Sequence, residues 1–143
     1  GSTSVAALAV AAHEIGHVMQ HQEGYIPIKI RNAILPAASI GSTAAPYIVI
    51  LGAIMGSYNL AMIGVYLFLA MLIFQIVTLP VELNASSRGL EMLESGGYIS
   101  YDQRGDAKAV LKAAAMTYIV AALSTLVSFL RLLMIAGNSR RRN

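Results

Sequence analysis

The sequence predicts an all-α integral membrane protein. About three transmembrane helices are expected, preceded by an active-site helix and interrupted by a short interfacial one. Three observations carry this reading. Apolar residues make up 57% of the chain and charged residues 12%, about half the usual charged share of a soluble domain. From Ile34 to Leu79 run 46 residues without a charge, too many for one crossing of a hydrocarbon core about 30 Å thick and right for two. A further apolar run, "AAAMTYIVAALSTLVSFL", lies between Lys112 and Arg131, which snorkel to the headgroups. A soluble core able to hide such helices on every face needs a much larger protein than 143 residues.

In chain order, residues 4–23 form the active-site helix, where Val5, Leu8, Ala12, Ile15 and Met19 recur as one apolar stripe. Transmembrane helices follow over 36–56 and 58–79. They form an antiparallel hairpin broken at "MGSYN", where Gly56, Ser57 and Asn59 supply turn chemistry. Pro46 falls inside the first and is expected to kink it, because proline removes an intrahelical hydrogen bond. The stretch from Glu82 to Asp106 holds five of the seven acidic residues. It opens with an interfacial helix over 82–95, stopped by "SGG". A new start follows at Ser100, with Gln103 in a capping-box arrangement. The third transmembrane helix covers 113–130, and residues 1–143 together read as a single domain. Two crossings return the chain to the face it left, so Glu82 emerges on the side of the opening helix.

Composition also excludes function classes. With no cysteine, neither a disulfide framework nor a thiolate metal site is available. The net charge of +3 is small, and basic residues are dispersed apart from the tail "SRRR". That argues against nucleic-acid binding and fits charge flanking a bilayer. The expected spans contain no acid or histidine, which fits a transporter poorly. Six basic residues on the site side face four on the other, a narrow margin for a cytoplasmic site under the positive-inside rule.

The chemistry concentrates in "AAHEIGHVMQHQEG", residues 11–24. On a helix, residues four apart differ by about 40° in azimuth and about 6 Å in height. His13 and His17 therefore aim their imidazoles at one point, where each binds a zinc ion at about 2.0–2.1 Å. Glu14, about 100° round the helix, is poorly placed as a ligand and well placed to hydrogen-bond a water. In an H-E-x-x-H site it takes the proton of that water as a carbonyl is attacked. Gly16 inside a helix costs about 1 kcal/mol relative to alanine, which points to a close backbone approach. A third ligand must come from elsewhere. His21 lies too far along the axis, and Gln20 and Glu23 occupy the places where a metzincin carries glycine and histidine. Glu23, Glu82, Glu91, Glu94, Asp102 and Asp106 remain, with Glu82 singled out by its position just after the returning span.

Three stretches carry a likeness to a known family: "SVAALAVAAHEIGHVMQHQEGYIPIKIRNAILPAASIGS", "TLPVELNASSRGLEML" and "AKAVLKAAAMTYIVAALSTLVSFLRLL". They resemble the bacterial YugP-like neutral zinc metallopeptidases of the membrane, over nearly the whole chain. A more distant similarity is to HtpX-type and CAAX prenyl proteases, which pair H-E-x-x-H with a downstream E-x-x-x-D. The resemblance implies a gluzincin-like site holding one zinc per chain, with His13, His17 and Glu82 as ligands and Glu14 as base. Ser86 stands where the distant relatives have aspartate, and is expected to hydrogen-bond a ligand histidine, with Asn84 sharing the task. Arg88 is a candidate to stabilise the oxyanion, with a snorkelling role as its alternative.

The resemblance further implies a multi-pass protein of the bacterial plasma membrane acting on peptides or membrane proteins. It also implies an upstream span and soluble segment that this chain does not include. Without them the chain is expected to keep its metal site and lose part of a substrate platform. The alternative function is a non-catalytic zinc-binding membrane protein or an inactive fragment of the peptidase.

Overall fold

The structure, a computed structural model, describes residues 2–142, with side chains from Ser4 to Arg140. Its elements are α1 (Ser2–Glu23), α2 (Ile26–Thr43), α3 (Ala45–Ile54), α4 (Tyr58–Ser95) and α5 (Tyr101–Arg142), with no strand among the described residues. α4 and α5 are each long and apolar enough to cross a membrane, and α2 with α3 makes a third span if that bent pair is one crossing.

The helices differ from the expected ones at their boundaries. α2 begins at Ile26, ten residues before the expected 36, with Pro27 in its first turn, where the missing N–H leaves no hydrogen bond unmade. α2 and α3 meet at a 53° bend. Ala44 is the N-cap of α3 and Pro46 lies in its first turn, so the kink expected at Pro46 is a full break just before it. The interfacial helix over 82–95 is not separate, since α4 runs unbroken from Tyr58 to Ser95 with Pro80 inside. Proline costs that helix one donor. Burial of Val81 and Ala85 in the next turn outweighs the loss and carries the helix through.

The helix ends follow local chemistry. Gly56 (φ 68°) and Gly97 (φ 76°) adopt the left-handed conformation that glycine takes without strain. At the second, Gly97 N–H donates to Glu94 O at 3.1 Å and Tyr98 N–H to Leu93 O at 2.9 Å, the paired bonds that close a helix terminus. α5 then starts on the expected capping box: Ser100 N–H donates to Gln103 Oε1 at 2.9 Å, and Gln103 N–H to Ser100 Oγ at 3.2 Å.

Two compact units result. One comprises Arg31–Ile76 with the chain from Val120 onward, and packs Ala45, Val49, Ala61, Val65, Phe68, Leu132 and Ala136 into its core. The other comprises the chain up to Ile30 with Val77–Ile119. Its core joins Ala9 and Ala12 of α1, Leu90 of α4, Ile99 of the link between α4 and α5, and Ala107 of α5. Every candidate site residue belongs to this second unit.

Candidate metal centre

The site begins with the closeness of two helices. Of the expected stripe, Val5, Leu8, Ile15 and Met19 are half-buried and Ala12 is fully buried; the deeply buried ridge of α1 is Ala9, Ala12, Gly16 and Gln20. A Cβ on Gly16 would lie 1.7 Å from the carbonyl oxygen of Ala85, and one on Gly89 would lie 1.7 Å from that of Ala12. Two small-xxx-small pairs, Ala12/Gly16 and Ala85/Gly89, thus let the backbones touch. His13 and His17 each follow a contact residue of α1. Glu82 and Ser86 flank the contact on α4, and the crossing brings the four together.

Three donor atoms converge there. His13 Nε2 lies 3.0 Å from His17 Nε2 and 2.5 Å from Glu82 Oε2, while His17 Nε2 is 3.5 Å from Glu82 Oε1. A tetrahedral zinc with bonds of 2.0–2.1 Å separates its ligand atoms by about 3.3 Å, close to the 3.0 and 3.5 Å separations. His13 Nε2 and Glu82 Oε2, at 2.5 Å, lie nearer than two ligands of one ion and would move apart to admit it. Glu82 is 8% exposed, and a buried carboxylate needs a cation or donors around it.

The far side of each imidazole fixes its orientation. His17 donates from Nδ1 to Gln20 Oε1 at 2.9 Å. Gln20, 0% exposed, donates from Nε2 to Val81 O at 2.8 Å and to Asn84 Oδ1 at 3.1 Å. Both of these partners are acceptors, so they set which end of the amide faces His17. The oxygen faces it, Nδ1 therefore carries the proton, and the Nε2 lone pair points at Glu82 and His13. A lone pair facing a second imidazole nitrogen and a carboxylate is what a metal ion satisfies. His13 Nδ1 pairs with Ser86 Oγ at 2.9 Å. Ser86 thus partners His13, while Asn84 acts on His17 only through Gln20.

Gln20 escaped the sequence reading. Its signals were its place three residues after His17, on the same helix face, and its polarity on the buried ridge. We expect Gln20→Leu, which removes the acceptor at similar volume, to weaken zinc binding by about 10–100-fold. Competition against a chromophoric chelator measures this.

The other candidates lie elsewhere. Arg88 ion-pairs with Glu23 and sits 5.1 Å from the ring centre of Tyr25. It lines a separate depression with Met19 and Glu91, not the cavity at the metal cluster. Glu94 pairs with Arg104, and Asp102, Asp106 and His21 are exposed. Glu14 is exposed too, and lines a cavity of about 300 Å³ together with His13, Glu82 and Ser86.

Known proteins match this chain along almost its full length. The family model described as "Putative neutral zinc metallopeptidase" covers residues 1–137. The "Putative membrane protease YugP" of Bacillus subtilis (strain 168) is 44% identical over 140 residues, which is 98% of this chain and 62% of that protein. No solved structure matches. His13, His17 and Glu82 form a cluster able to hold a metal ion, the apolar helices suit a membrane, and the family match spans both. The chain belongs to the putative neutral zinc metallopeptidases.

Proposed function

We propose that this chain carries the hydrolytic centre of a membrane-embedded zinc peptidase, with one zinc held by His13, His17 and Glu82. The observation that carries the reading is the convergence of these three donors on a cavity that Glu14 also lines. Zinc in such a site supplies Lewis acidity, lowering the pKa of water and polarising a carbonyl. Glu14 takes the proton of the attacking water and returns it to the leaving amine. Gln20 keeps His17 in the tautomer that presents Nε2, and Ser86 orients His13. The surplus of basic residues on the site side supports a cytoplasmic centre.

Metal analysis of the purified protein tests the ligand set. One zinc per chain is expected, falling to a small fraction in His13→Ala, His17→Ala and Glu82→Ala. Undiminished zinc in any of the three removes that residue from the site. Stoichiometric zinc without hydrolysis of any peptide would favour a purely metal-binding protein.

A further inference from the structure

The cavity at the metal cluster has apolar walls from three helices. α5 contributes Val110, Leu111, Ala114, Ala115 and Tyr118, a spacing that places them on one helix face. α1 adds Ala9 and Val10, and α4 adds Leu83. Val10, Leu83, Val110 and Tyr118 are 62%, 48%, 40% and 40% exposed, so apolar surface around a concave site is left for an occupant. A volume of about 300 Å³ is at the low end of small-ligand pockets. It suits one large side chain and its backbone.

A second depression, of about 180 Å³, shares Leu83, Ser86 and Leu111 with the first. Arg104, Lys108 and Lys112 line it at four-residue spacing on α5. Arg104 is paired with Glu94. Lys108 and Lys112 make no ion pair among the described residues, and no acidic side chain lines the depression. Positive charge without a partner, beside an apolar cavity, attracts an anion.

We propose that the polypeptide cut here is selected by two adjoining features. A large apolar side chain next to the scissile bond sits in the cavity beside His13 and Glu14. A carboxylate within three residues of it is held by Lys108 and Lys112. The inference rests on the peptidase reading and names its substrate class. An extended chain advances about 3.3 Å per residue, so depressions with a common wall are visited by neighbouring residues of one strand. α5 turns apolar at Ala113, directly after Lys112, which puts the segment at the lipid boundary with its acid on the polar side.

The test uses the full chain in nanodiscs of zwitterionic lipid, zinc-loaded and carrying Glu14→Gln so that bound peptide stays intact. Fluorescent peptides bearing leucine or alanine at the first position, and glutamate or glutamine at each of the three residues on either side, are titrated by anisotropy. Leucine should bind about 10-fold more tightly than alanine or better. Glutamate should bind about 3- to 5-fold more tightly than glutamine at one of the flanking positions, a difference that shrinks with salt. Ala114→Trp should erase the first preference alone, and Lys108→Gln with Lys112→Gln the second alone, with zinc content unchanged in both. Absence of either preference, or its survival in the matching variant, overturns the proposal. So does a glutamate preference that disappears when phosphatidylglycerol is added, since the lysines then serve lipid headgroups. Selective binding without cleavage by the Glu14-bearing chain leaves the recognition standing and removes the peptidase reading instead.

Discussion

Glu14→Gln is expected to keep one zinc per chain while lowering peptide hydrolysis by about 10²–10⁴-fold, the usual contribution of a positioned acid–base group. Glutamine preserves the length and shape of the side chain and removes only its ability to take and return a proton. Glu14 is exposed on the cavity wall and is not one of the three converging residues able to hold a metal, so metal affinity has no reason to change. The loss should fall on kcat, with peptide affinity within about twofold of the parent's, because the group acts only in the transition state. Glu14→Asp, which withdraws the carboxylate by one methylene, should give an intermediate rate. Zinc lost along with activity would make Glu14 a ligand. Full activity in the glutamine variant would move the base elsewhere.

Gly16→Ala is expected to weaken zinc binding by about 100-fold or more and to destabilise the site-bearing unit by roughly 1–3 kcal/mol. The added methyl would sit 1.7 Å from the carbonyl oxygen of Ala85, where about 3.3 Å is needed. α1 and α4 must then part by roughly 1.5 Å, against a tolerance in metal–ligand distances of about 0.2 Å. Glu82 travels with α4 and the two histidines with α1, so the separation acts directly on the proposed ligand set. Gly105→Ala provides the matched comparison. It gains the same helix propensity, about 1 kcal/mol, and a Cβ there meets nothing within 4 Å. It should be neutral or stabilising. Chelator competition and thermal melts on the pair separate steric from propensity effects, and equal behaviour of the two variants would remove the crossing as the cause.

The parts of this molecule legible in its sequence are those fixed by local spacing or by long compositional runs. His13 and His17 share a face because four residues make about one turn, and the uncharged run from Ile34 to Leu79 announces apolar helices wherever their ends fall. The capping box at Ser100 and Gln103 is equally local, and its two hydrogen bonds are present. Glu82 stood out because it follows a returning apolar segment, and the family likeness gave it a role. Gln20 was illegible because the groups it meets, Val81 O and Asn84 Oδ1, are 61 and 64 residues away. Arg88 was misleading for a similar reason, since Glu23, 65 residues earlier, occupies it. The continuity of α4 through Pro80 depends on tertiary burial that outweighs a local breaker. Of the stripe expected on α1 only Ala12 is fully buried, because hydrophobic size is a poor guide where helices cross closely, and small residues take the contact.

A collision with a side chain leaves evolution a remedy, because the neighbour can be trimmed by a second mutation. Opposite Gly16 and Gly89 the obstructing atoms are the oxygens of Ala85 and Ala12, which every amino acid carries on its main chain. No suppressor on the facing strand of sequence can make room there. Lineages that retain this helix crossing have no stepwise or paired route away from glycine at either place. Gln20 and Ser86 meet His17 and His13 through side-chain atoms, so those contacts are open to replacement by paired changes.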